Sequence, residues 1–590
     1  MAAADFGLPR HEYPRPQFTR PDWLCLNGWW EFEQDPEEVG LDRGWHHGHP
    51  FSERILVPYP VESRLSGIGD RHASEVVWYR RAVAVPASFA GRRLMVRLGA
   101  VDYATDVWWS GCHLGHHDGG HTPFAFEVPA HALAGASVHE LVVRAEDRRE
   151  RAQPRGKQYW HPESEEIFYT RTTGIWQTVW LEPLPDLHLT EVRCRPVLAD
   201  GSVRWRLALD GPRAPGAAVE VSVWQPDGPL YGRLTVPADA PELEATLIPQ
   251  AEAAASLQPW SPEAPNLYAV RYRILQGAEV VDAADGYLGF RQLEARGGQL
   301  LLNGRPYFLK MVLDQGYFPD GILTAPTAAD LRRDVELCKA MGFNGARKHQ
   351  KLEDPQWLYW CDRLGLLAWG EMANAWDFTP RAARRLAHEW AEAVARDANH
   401  PALVAWVPVN ESWGVPNLDG DPAQVAYLDA LYALTKAMDP SRLVVANDGW
   451  EHGGGDLATL HDYEGDPAVL QARYAQLATV LAFRPSGRAL YAPGRGYRGQ
   501  PVLVTEMGGL ALKAGAARGG HWGYTELASA QALLERYRAQ VAALASSPLV
   551  QGFCYTQLTD VEQEVNGLLT DRREPKVPLE ALWAANQLGR

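Results

Sequence analysis

Two glutamates in this chain of 590 residues stand where catalytic carboxylates would stand. Glu411 lies in the segment Val-Pro-Val-Asn-Glu-Ser-Trp-Gly, and Glu506 lies in Val-Leu-Val-Thr-Glu-Met-Gly-Gly. Each of them ends a short apolar run rich in β-branched residues, which is typical of a buried strand. In a parallel barrel, strand ends of this kind deliver catalytic side chains to one open face. We therefore predict that the two carboxyl groups meet in one site.

A pair of carboxyl groups about 5 to 5.5 Å apart can cleave a glycosidic bond with retention of configuration. One group protonates the leaving oxygen as an acid, while the other attacks the anomeric carbon as a nucleophile. We assign Glu411 as the acid/base and Glu506 as the nucleophile. A glutamate taken at random is a solvated surface residue, but two that end apolar runs depart from that expectation.

Side chains beside the two glutamates are suited to assist this chemistry. The amide of Asn410 can bind a sugar 2-hydroxyl, an interaction that strengthens in the transition state. The hydroxyl of Tyr463 can donate to Glu506, and such a bond favours the ionised carboxylate. Packing is the alternative role for Tyr463. Three further residues near predicted strand ends are expected to orient these groups: Asp448, His461 and Asp462.

The elements that would position these residues are apolar strands alternating with amphipathic helices from about residue 308 onward. This rhythm indicates βα units around a parallel sheet, and eight of them need roughly 250 residues. The predicted strands are 308–314, 345–349, 367–373, 404–410, 443–448, 457–463, 502–505 and 552–557. The clearest helix is predicted at 525–546 from its apolar stripe. Another is predicted to begin at Thr327, with Asp330 in the capping-box position.

The first half of the chain is typical of β-sandwiches. Short alternating runs, such as those at 76–85, 94–100 and 104–109, are separated by Gly, Pro and Asp turns. Pro183-Leu184-Pro185 marks a boundary, and a second β-rich stretch ends near Gly289-Phe290-Arg291. We predict three domains, which comprise residues 1–184, 185–295 and 296–590.

Composition and charge argue against several classes of partner. A formal net charge of −16 without a basic run disfavours nucleic acid. No apolar stretch approaches the ~20 residues that span a bilayer, so no membrane partner is expected. The N-terminus lacks the basic start and apolar core of a secretory signal, which favours the cytoplasm. The six cysteines are widely spaced and are predicted to be buried thiols.

Two histidine-rich segments, at 46–49 and 112–121, have the composition of a metal site but not its regular spacing. We expect surface turns there and no bound metal. Glu371 ends the third predicted strand and is expected either to bind sugar hydroxyls or to support Arg347. Tyr555, on the eighth strand, is a candidate for stacking against a sugar ring, with packing as the alternative.

Motifs around both glutamates resemble glycoside hydrolase family 2, the group that contains β-galactosidases, β-glucuronidases and β-mannosidases. Arg396-Asp397-Ala398-Asn399-His400-Pro401 and Asn410-Glu411-Ser412 are similar to its acid/base signature, and Thr505-Glu506-Met507-Gly508-Gly509 is similar to its nucleophile segment. Upstream, Thr173-Gly174-Ile175-Trp176 is similar to its sugar-binding domain. The resemblance implies an N-terminal jelly-roll β-sandwich, an immunoglobulin-like β-sandwich and a C-terminal (β/α)8 TIM barrel. It also implies an exo-acting β-glycosidase that binds carbohydrate, works by double displacement and needs no cofactor. Homo-oligomers are common in this family, so the resemblance also makes a homo-oligomer an expected assembly.

The residues expected to contact the sugar do not fix its identity. Around the second strand the chain has Arg347-Lys348-His349-Gln350-Lys351, where the family often has Arg followed by Ser-His-Tyr-Pro. Glucuronidases carry an Asn-x-Lys pair after the eighth strand, and the matching stretch here is Asn566-Gly567-Leu568. A uronic acid is disfavoured without that lysine, because an unpaired buried carboxylate is costly, unless Arg347 or Lys348 replaces it. The predicted substrate contacts are Asn410, Tyr463, Asp314, Arg347, His349, Glu371 and Tyr555.

Two classes of function follow from these observations. The leading hypothesis is a retaining exo-β-glycosidase that hydrolyses terminal β-galactoside-like or α-L-arabinoside-like sugars through a covalent glycosyl-enzyme. A β-glucuronidase or a β-mannosidase is the alternative within the family. The hypothesis from a different class is a non-catalytic carbohydrate-binding protein, since a fold does not guarantee activity.

Overall fold

The computed structural model describes residues 8–226, 228–512 and 521–588. Residues 1–7, part of the N-terminal segment on which the expectation of a cytoplasmic location depends, lie outside the described residues. Two β-sandwiches precede a barrel of parallel strands, and the predicted fold class is thereby confirmed.

The first unit is a sandwich of antiparallel sheets. Its six-stranded sheet runs, in spatial order, Glu53–Val57, Gly28–Gln34, Val76–Ala84, Val138–Glu146, Ala104–Trp109 and Cys112–Asp118. The four-stranded sheet is Leu24–Cys25, Val179–Leu184, Arg93–Leu98 and Phe124–Val128, and a short pair joins Gly174–Ile175 to Val101–Asp102. Alternation along one strand buries Trp30 and Phe32 in the core and leaves Trp29 exposed, because successive side chains face opposite sides of a sheet.

The second unit is a smaller sandwich with the immunoglobulin-like arrangement. One sheet contains His188–Pro196, Val203–Asp210 and Glu242–Leu247, and the other contains Leu230–Pro237, Ala217–Trp224, Tyr268–Gln276 and Glu279–Leu288. Trp205 and Tyr272 meet edge to face in its core, with ring centroids 5.5 Å apart. A meander of Leu293–Arg296, Gln299–Leu302 and Arg305–Pro306 leads into the barrel.

The third unit is a sheet of eight parallel strands that curls into a barrel. In chain order the strands are Leu309–Asp314, Gly345–Lys348, Leu367–Glu371, Leu403–Val407, Leu443–Val444, Ala458–Asp462, Val502–Gly508 and Val550–Thr556. Their spatial order is five, four, three, two, one, eight, seven, six. They lie where the sequence predicts, except that the fifth is much shorter, because Val445 forms a bridge with Gly455 instead of continuing the strand.

Helices alternate with the barrel strands. They comprise Ala328–Ala340, Pro355–Leu364, Pro380–Asp397, Pro422–Met438, Pro467–Arg473, Leu477–Ala482, Ala530–Ala545 and Leu579–Asn586. At the start of the helix Pro380–Asp397, the Thr379 hydroxyl accepts a hydrogen bond from the Ala382 N–H at 3.0 Å. The fixed φ of Pro380 suits the first turn of this helix. The predicted cap at Thr327 is also present, since Asp330 Oδ2 accepts from the Thr327 N–H at 2.9 Å.

The helix predicted at 525–546 begins later than its apolar stripe suggests. Ser529 accepts a hydrogen bond from the Ala532 N–H at 3.2 Å and caps the helix Ala530–Ala545. The residues before it, Thr525–Leu527, pair with Leu510–Leu512 as a short parallel strand. The prediction was therefore wrong over its first residues, because the capping serine and not the periodicity sets the start.

The six cysteines are all free thiols, but they are not all buried as predicted. The three buried cysteines are Cys338, Cys361 and Cys554. The three half-buried cysteines are Cys25, Cys112 and Cys194. None of the helices among the described residues is long and apolar enough to cross a membrane.

Candidate active site

Glu411 and Glu506 meet at the mouth of the barrel. Glu506 lies within the seventh strand, and Glu411 lies just beyond the end of the fourth. Carboxylate oxygens of the two residues and a ring nitrogen of His461 all lie within 4.8 Å of one another. Glu506 is buried, whereas the side chain of Glu411 is 18% exposed. The two candidate catalytic groups thus share one site.

A tight backbone turn presents Glu411 to the site. Glu411 and Ser412 adopt left-handed conformations, with φ of 52° and 61°, which costs a residue other than glycine about 1–2 kcal/mol. The Glu411 N–H donates to the Asp448 carbonyl at 3.0 Å, and the Ser412 N–H donates to Asn447 Oδ1 at 2.9 Å. These bonds to the loop after the fifth strand hold the strained turn in place.

A buried arginine organises the charges beneath the two glutamates. The guanidinium of Arg347 donates to Glu506 Oε1 at 3.0 Å and to Glu371 Oε2 at 2.7 Å. It also donates to Asn410 Oδ1 at 2.7 Å and lies 2.8 Å from Asp448 Oδ2. Burial opposes its charge, but the surrounding carboxylates outweigh that effect and raise the pKa of Arg347. Arg347 is therefore a permanent cation that links Glu506 to the neighbouring strands.

Glu506 is held as a carboxylate. The hydroxyl of Tyr463 donates to its Oε2 at 2.5 Å, and His461 Nδ1 lies 3.4 Å from the same oxygen. Burial alone favours the neutral acid, but the charges of His461 and Arg347 outweigh it and lower the pKa of Glu506 to about 2. Since a nucleophile must be ionised, this environment suits Glu506 for attack on a carbon centre.

His461 lies between the two glutamates. Its Nδ1 is 2.7 Å from Glu411 Oε1, and its Nε2 is 3.2 Å from Asp448 Oδ2. Burial disfavours its charge, yet the carboxylates of Glu506, Asp448 and Glu411 raise the pKa of His461 to about 10. The imidazolium donates from both nitrogens and occupies one oxygen of Glu411. The other oxygen can carry the proton that an acid catalyst transfers.

Asn410 keeps one donor unused. Its Oδ1 accepts from Arg347, and its backbone N–H donates to Asn374 Oδ1 at 2.9 Å. Its Nδ2 is buried and has no partner in the described part of the chain. An unpaired buried donor is costly, and next to Glu411 it is suited to a substrate hydroxyl.

Two glutamines that are not among the predicted contacts also have unused polar atoms. Gln315 and Gln557 lie just beyond the first and eighth strands, and Gln315 Nε2 donates to Gln557 Oε1 at 2.7 Å. Gln315 Oε1 and Gln557 Nε2 are buried without a partner among residues 8–226, 228–512 and 521–588. The signal that could have found them is their position directly after buried strands, the same signal that identified Glu411.

Other predicted sugar contacts are engaged with the protein. Asp314 Oδ2 accepts from Lys348 Nζ at 2.6 Å, so Asp314 is an ion-pair partner of the protein itself. Glu371 supports Arg347, which is the second of its two predicted roles. His349 Nδ1 lies 3.0 Å from Glu371 Oε1 but makes no well-aligned hydrogen bond to a described residue. Of these three, His349 has a polar group still available to a ligand.

Tyr555 packs in the barrel wall and does not form a stacking surface. Its ring lies edge to face against Tyr537, with centroids 5.1 Å apart, and its hydroxyl donates to the Asn566 carbonyl at 3.3 Å. The next residue, Thr556, faces the site, and its hydroxyl oxygen lies 3.2 Å from the Tyr463 hydroxyl oxygen, to which it can donate. The stacking role predicted for Tyr555 is therefore corrected, because adjacent residues on a strand face opposite sides.

The histidine-rich segments gather no cluster of metal ligands in the described chain. Residues 112–118 form an edge strand and not the predicted turn, and His113 and His116 there contact Asp106 at 3.0 and 3.2 Å. The group of three metal-type donors that the described residues do contain is Glu411, His461 and Glu506. Hydrogen bonding accounts for that group, since both nitrogens of His461 face carboxylates.

Three family models match consecutive parts of the chain. The sugar-binding domain of glycosyl hydrolases family 2 matches residues 24–181, a model described as glycosyl hydrolases family 2 matches residues 187–291, and the TIM barrel domain of that family matches residues 293–585. Together these matches follow the two sandwiches and the barrel in order.

Known proteins of this family resemble the chain at low identity. A β-galactosidase of Thermoanaerobacter pseudethanolicus is 26% identical over 346 residues, which cover 57% of this chain and 45% of the relative. A β-glucuronidase of Paenibacillus borealis is 24% identical over 465 residues, which cover 73% of each chain. The structure of the β-glucuronidase from Ruminococcus gnavus in complex with D-glucuronic acid has a TM-score of 0.78 and 20% identity, covering 98% of this chain and 100% of that one. The chain thus spans less than half the length of the β-galactosidase, and it shares the fold of the glucuronidase. On the evidence of the three domain matches, the chain belongs to glycoside hydrolase family 2.

Proposed function

We propose that this protein is a retaining exo-β-glycosidase in which Glu411 is the acid/base and Glu506 is the nucleophile. The observation that carries the proposal is the pair itself, with carboxylate oxygens within 4.8 Å of each other. This closeness suits direct attack on the anomeric carbon, because inverting pairs stand about 6.5–9.5 Å apart to admit a water molecule. The low pKa of Glu506 and the unoccupied oxygen of Glu411 support the division of roles.

The proposed reaction has two displacements at one carbon. In the first, a Glu506 oxygen bonds to the anomeric carbon while the bond to the leaving oxygen breaks and Glu411 gives that oxygen its proton. The aglycone leaves as an alcohol, and a glycosyl ester of Glu506 remains. In the second, Glu411 takes a proton from water, whose oxygen attacks the same carbon and releases Glu506. Two inversions restore the starting configuration.

Neighbouring residues support this sequence of steps. Asn410 Nδ2 is positioned to donate to the 2-hydroxyl of the sugar, where a stronger bond in the transition state lowers the barrier. Arg347 and His461 stabilise the Glu506 carboxylate before attack and when it departs in the second step. The hydroxyl of Tyr463 holds the attacking carboxylate in position.

Two described cations of the barrel, Arg347 and Lys348, are engaged with carboxylates. Arg347 is paired with Glu506 and Glu371, and Lys348 is paired with Asp314 at 2.6 Å and Glu353 at 2.9 Å. Neither of the two cations that the sequence offered is thus available for a uronic acid carboxylate. Considered alone, the pairing of these two cations favours a neutral terminus of the β-galactoside-like or α-L-arabinoside-like kind.

A non-catalytic carbohydrate-binding protein is the alternative from another class. Binding a sugar does not require an ionised carboxylate at attack distance from a second carboxyl group, so the geometry of the pair favours an enzyme.

Stereochemistry tests the proposal directly. A panel of aryl β-galactoside, β-glucuronide, β-mannoside, β-glucoside and both ring forms of α-L-arabinoside identifies the preferred sugar. For the best substrate, proton NMR spectra at early times identify the anomer formed first. We expect the configuration of the substrate, whereas the opposite anomer would exclude double displacement. Absence of turnover across the panel would favour the binding protein.

A further inference from the structure

One segment of the jelly-roll domain crosses the barrel mouth and is tied to the active site. The backbone N–H groups of Arg155 and Gly156 donate to the Asn374 carbonyl at 3.3 and 3.0 Å. The side chain of the same Asn374 accepts from the Asn410 N–H at 2.9 Å. The segment 153–158 is therefore connected through one residue to the neighbour of Glu411.

Lys157 in this segment is a buried lysine whose ammonium is paired with no carboxylate of the described residues. Lys157 is 6% exposed. Its Nζ lies 5.6 Å from the ring centroid of Trp413 and 5.7 Å from that of Tyr169. No described residue forms a hydrogen bond or ion pair with this ammonium. Contact with aromatic faces offsets only part of the cost of burying it. By contrast, the buried Lys348 and Lys351 both pair with carboxylates.

The unused polar atoms of the site show on which side of the catalytic pair the sugar ring lies. Gln315 Oε1 and Gln557 Nε2, just after the first and eighth strands, are buried without partners in the described chain, and Asn566 Oδ1 in the following loop is in the same state. Such atoms are suited to sugar hydroxyls. From the anomeric carbon between Glu411 and Glu506, the ring therefore extends toward strands eight and one.

The ammonium of Lys157 lies between Trp413, two residues after Glu411, and Tyr169. Tyr169, one of the two aromatic residues beside its ammonium, donates its hydroxyl to Glu564, and Glu564 Oε1 accepts from Asn566 Nδ2 at 2.9 Å. The ammonium thus lies on the side of the site that carries the free polar atoms. In a pyranoside, the end of the ring opposite the anomeric carbon presents the hydroxyl on C4 and, next to it, the substituent on C5.

We propose that Lys157 binds a carboxylate on C5 of the terminal sugar, so that the enzyme prefers β-linked uronic acids. This inference rests on the proposed function and names its substrate class. It reverses the expectation of a neutral sugar, which considered only cations of the barrel. The ammonium instead comes from the jelly-roll domain, and the carboxylate supplies the missing counter-charge.

Two matched pairs of 4-nitrophenyl glycosides test the proposal. They are the β-D-glucuronide against the β-D-glucoside and the β-D-galacturonide against the β-D-galactoside, and the members of each pair differ only in a carboxylate or a hydroxymethyl group. In the wild type we expect kcat/KM for the acidic member of one pair to exceed that of its neutral partner by about 100-fold or more. Lys157→Met should reduce this ratio by at least about tenfold, mainly through KM, while Lys157→Arg should keep more of it. Lys310→Met, at a half-buried lysine on the first barrel strand, is the matched control and should leave the ratio unchanged.

The possible results separate this inference from the function on which it rests. If neutral aryl glycosides are hydrolysed as well as or better than their acidic partners, the assignment of Lys157 fails and the catalytic pair stands. A preference for the acid that persists in a folded Lys157→Met variant would also overturn the assignment. If Lys157→Met does not fold, the wild-type ratio and Lys157→Arg still decide it. Failure of every aryl glycoside would overturn the proposed function and this inference together.

Discussion

The two glutamates have different surroundings, which suit them to the two roles proposed for them. Glu506 is buried against Arg347 and receives the hydroxyl of Tyr463, so it remains ionised. Glu411 is partly exposed and has His461 on one oxygen, which leaves the other for proton transfer. Pairs of carboxyl groups in contrasting surroundings are how one site supplies both an acid and a nucleophile.

Tyr463→Phe tests how Glu506 is kept ionised. The substitution removes a hydrogen bond to the charged form of Glu506, so the pKa of this carboxylate should rise from its low value. We expect the acid limb of the pH profile of kcat/KM to move to higher pH and the rate at neutral pH to fall about 10- to 100-fold. Tyr474→Phe, which removes a hydroxyl bonded to Asp462 at 3.0 Å, is the control. An unchanged acid limb in Tyr463→Phe would contradict the role given to this hydroxyl.

Glu411→Gln tests the acid. Only a poor leaving group needs a proton, so hydrolysis of alkyl or sugar aglycones should fall about 10²- to 10⁴-fold. Dinitrophenyl glycosides should lose far less in the bond-breaking step, because their leaving oxygen departs as an anion. Pre-steady-state release of the phenol measures that step separately from the second one. Equal losses on both kinds of substrate would show that Glu411 is not the acid.

The sequence predicted part of this site from strand ends and missed the rest for physical reasons. Glu411, Glu506 and Tyr463 all follow or end apolar runs, and the structure brings them together. Sequence alone does not distinguish Tyr555 from Thr556, because periodicity does not fix which face of a central strand points inward. Lys157 carried no signal, because its chemistry depends on burial by a distant part of the chain.

At the scale of elements, the segment 153–158 determines how the jelly-roll domain meets the barrel mouth. Gly156 adopts φ of +59°, and a Cβ atom added there would lie 2.3 Å from the Gln350 carbonyl oxygen. The close approach of two backbones therefore requires glycine at this position.

Gly156→Ala should displace the segment from the barrel. Left-handed strain and the clash with Gln350 together should lower the free energy of unfolding by ~2–4 kcal/mol and raise KM, because Lys157 moves with the segment. Urea denaturation and steady-state kinetics measure the two effects. Gly135→Ala is the control, since Gly135 has φ of +85° with no atom within 4 Å of the added Cβ. A variant at Gly156 that matches this control in both measurements would show that the contact is dispensable.

The elements themselves were predictable to different degrees. The eight barrel strands follow from short buried runs, and the cap at Thr327 follows from its hydroxyl and Asp330. The start of the helix Ala530–Ala545 was not predictable, because the apolar stripe of the helix continues into residues that pair with Leu510–Leu512. Local periodicity is unable to show which residues a neighbouring strand will take.

At the scale of the whole molecule, the jelly-roll unit and the barrel are joined by polar contacts of different burial. Arg10 Nη2 donates to Asp354 Oδ2 at 2.9 Å, and Asp354 in turn caps a barrel helix through the Gln356 N–H. The two side chains of this ion pair are 3% and 11% exposed. Arg64 pairs with Asp320 between the same units, but its side chain is 68% exposed.

Arg10→Met should destabilise the protein, while Arg64→Met should not. Removing Arg10 leaves the Asp354 charge buried without its partner, which should cost about 3 kcal/mol of unfolding free energy. The exposed pair of Arg64 contributes less than about 1 kcal/mol because water screens it. Guanidinium denaturation of the two variants gives both values. Equal midpoints would mean that the buried pair does not hold the units together.

Double displacement requires a covalent intermediate at one residue of the barrel. A 2-deoxy-2-fluoro glycoside of the preferred sugar with a good leaving group slows the second displacement and lets the glycosyl ester accumulate. Peptide mass spectrometry of the labelled protein then locates the sugar. We predict a single label on Glu506 and its absence in Glu506→Gln. A label on any other residue, or hydrolysis of the parent glycoside without a trappable ester, would contradict the account.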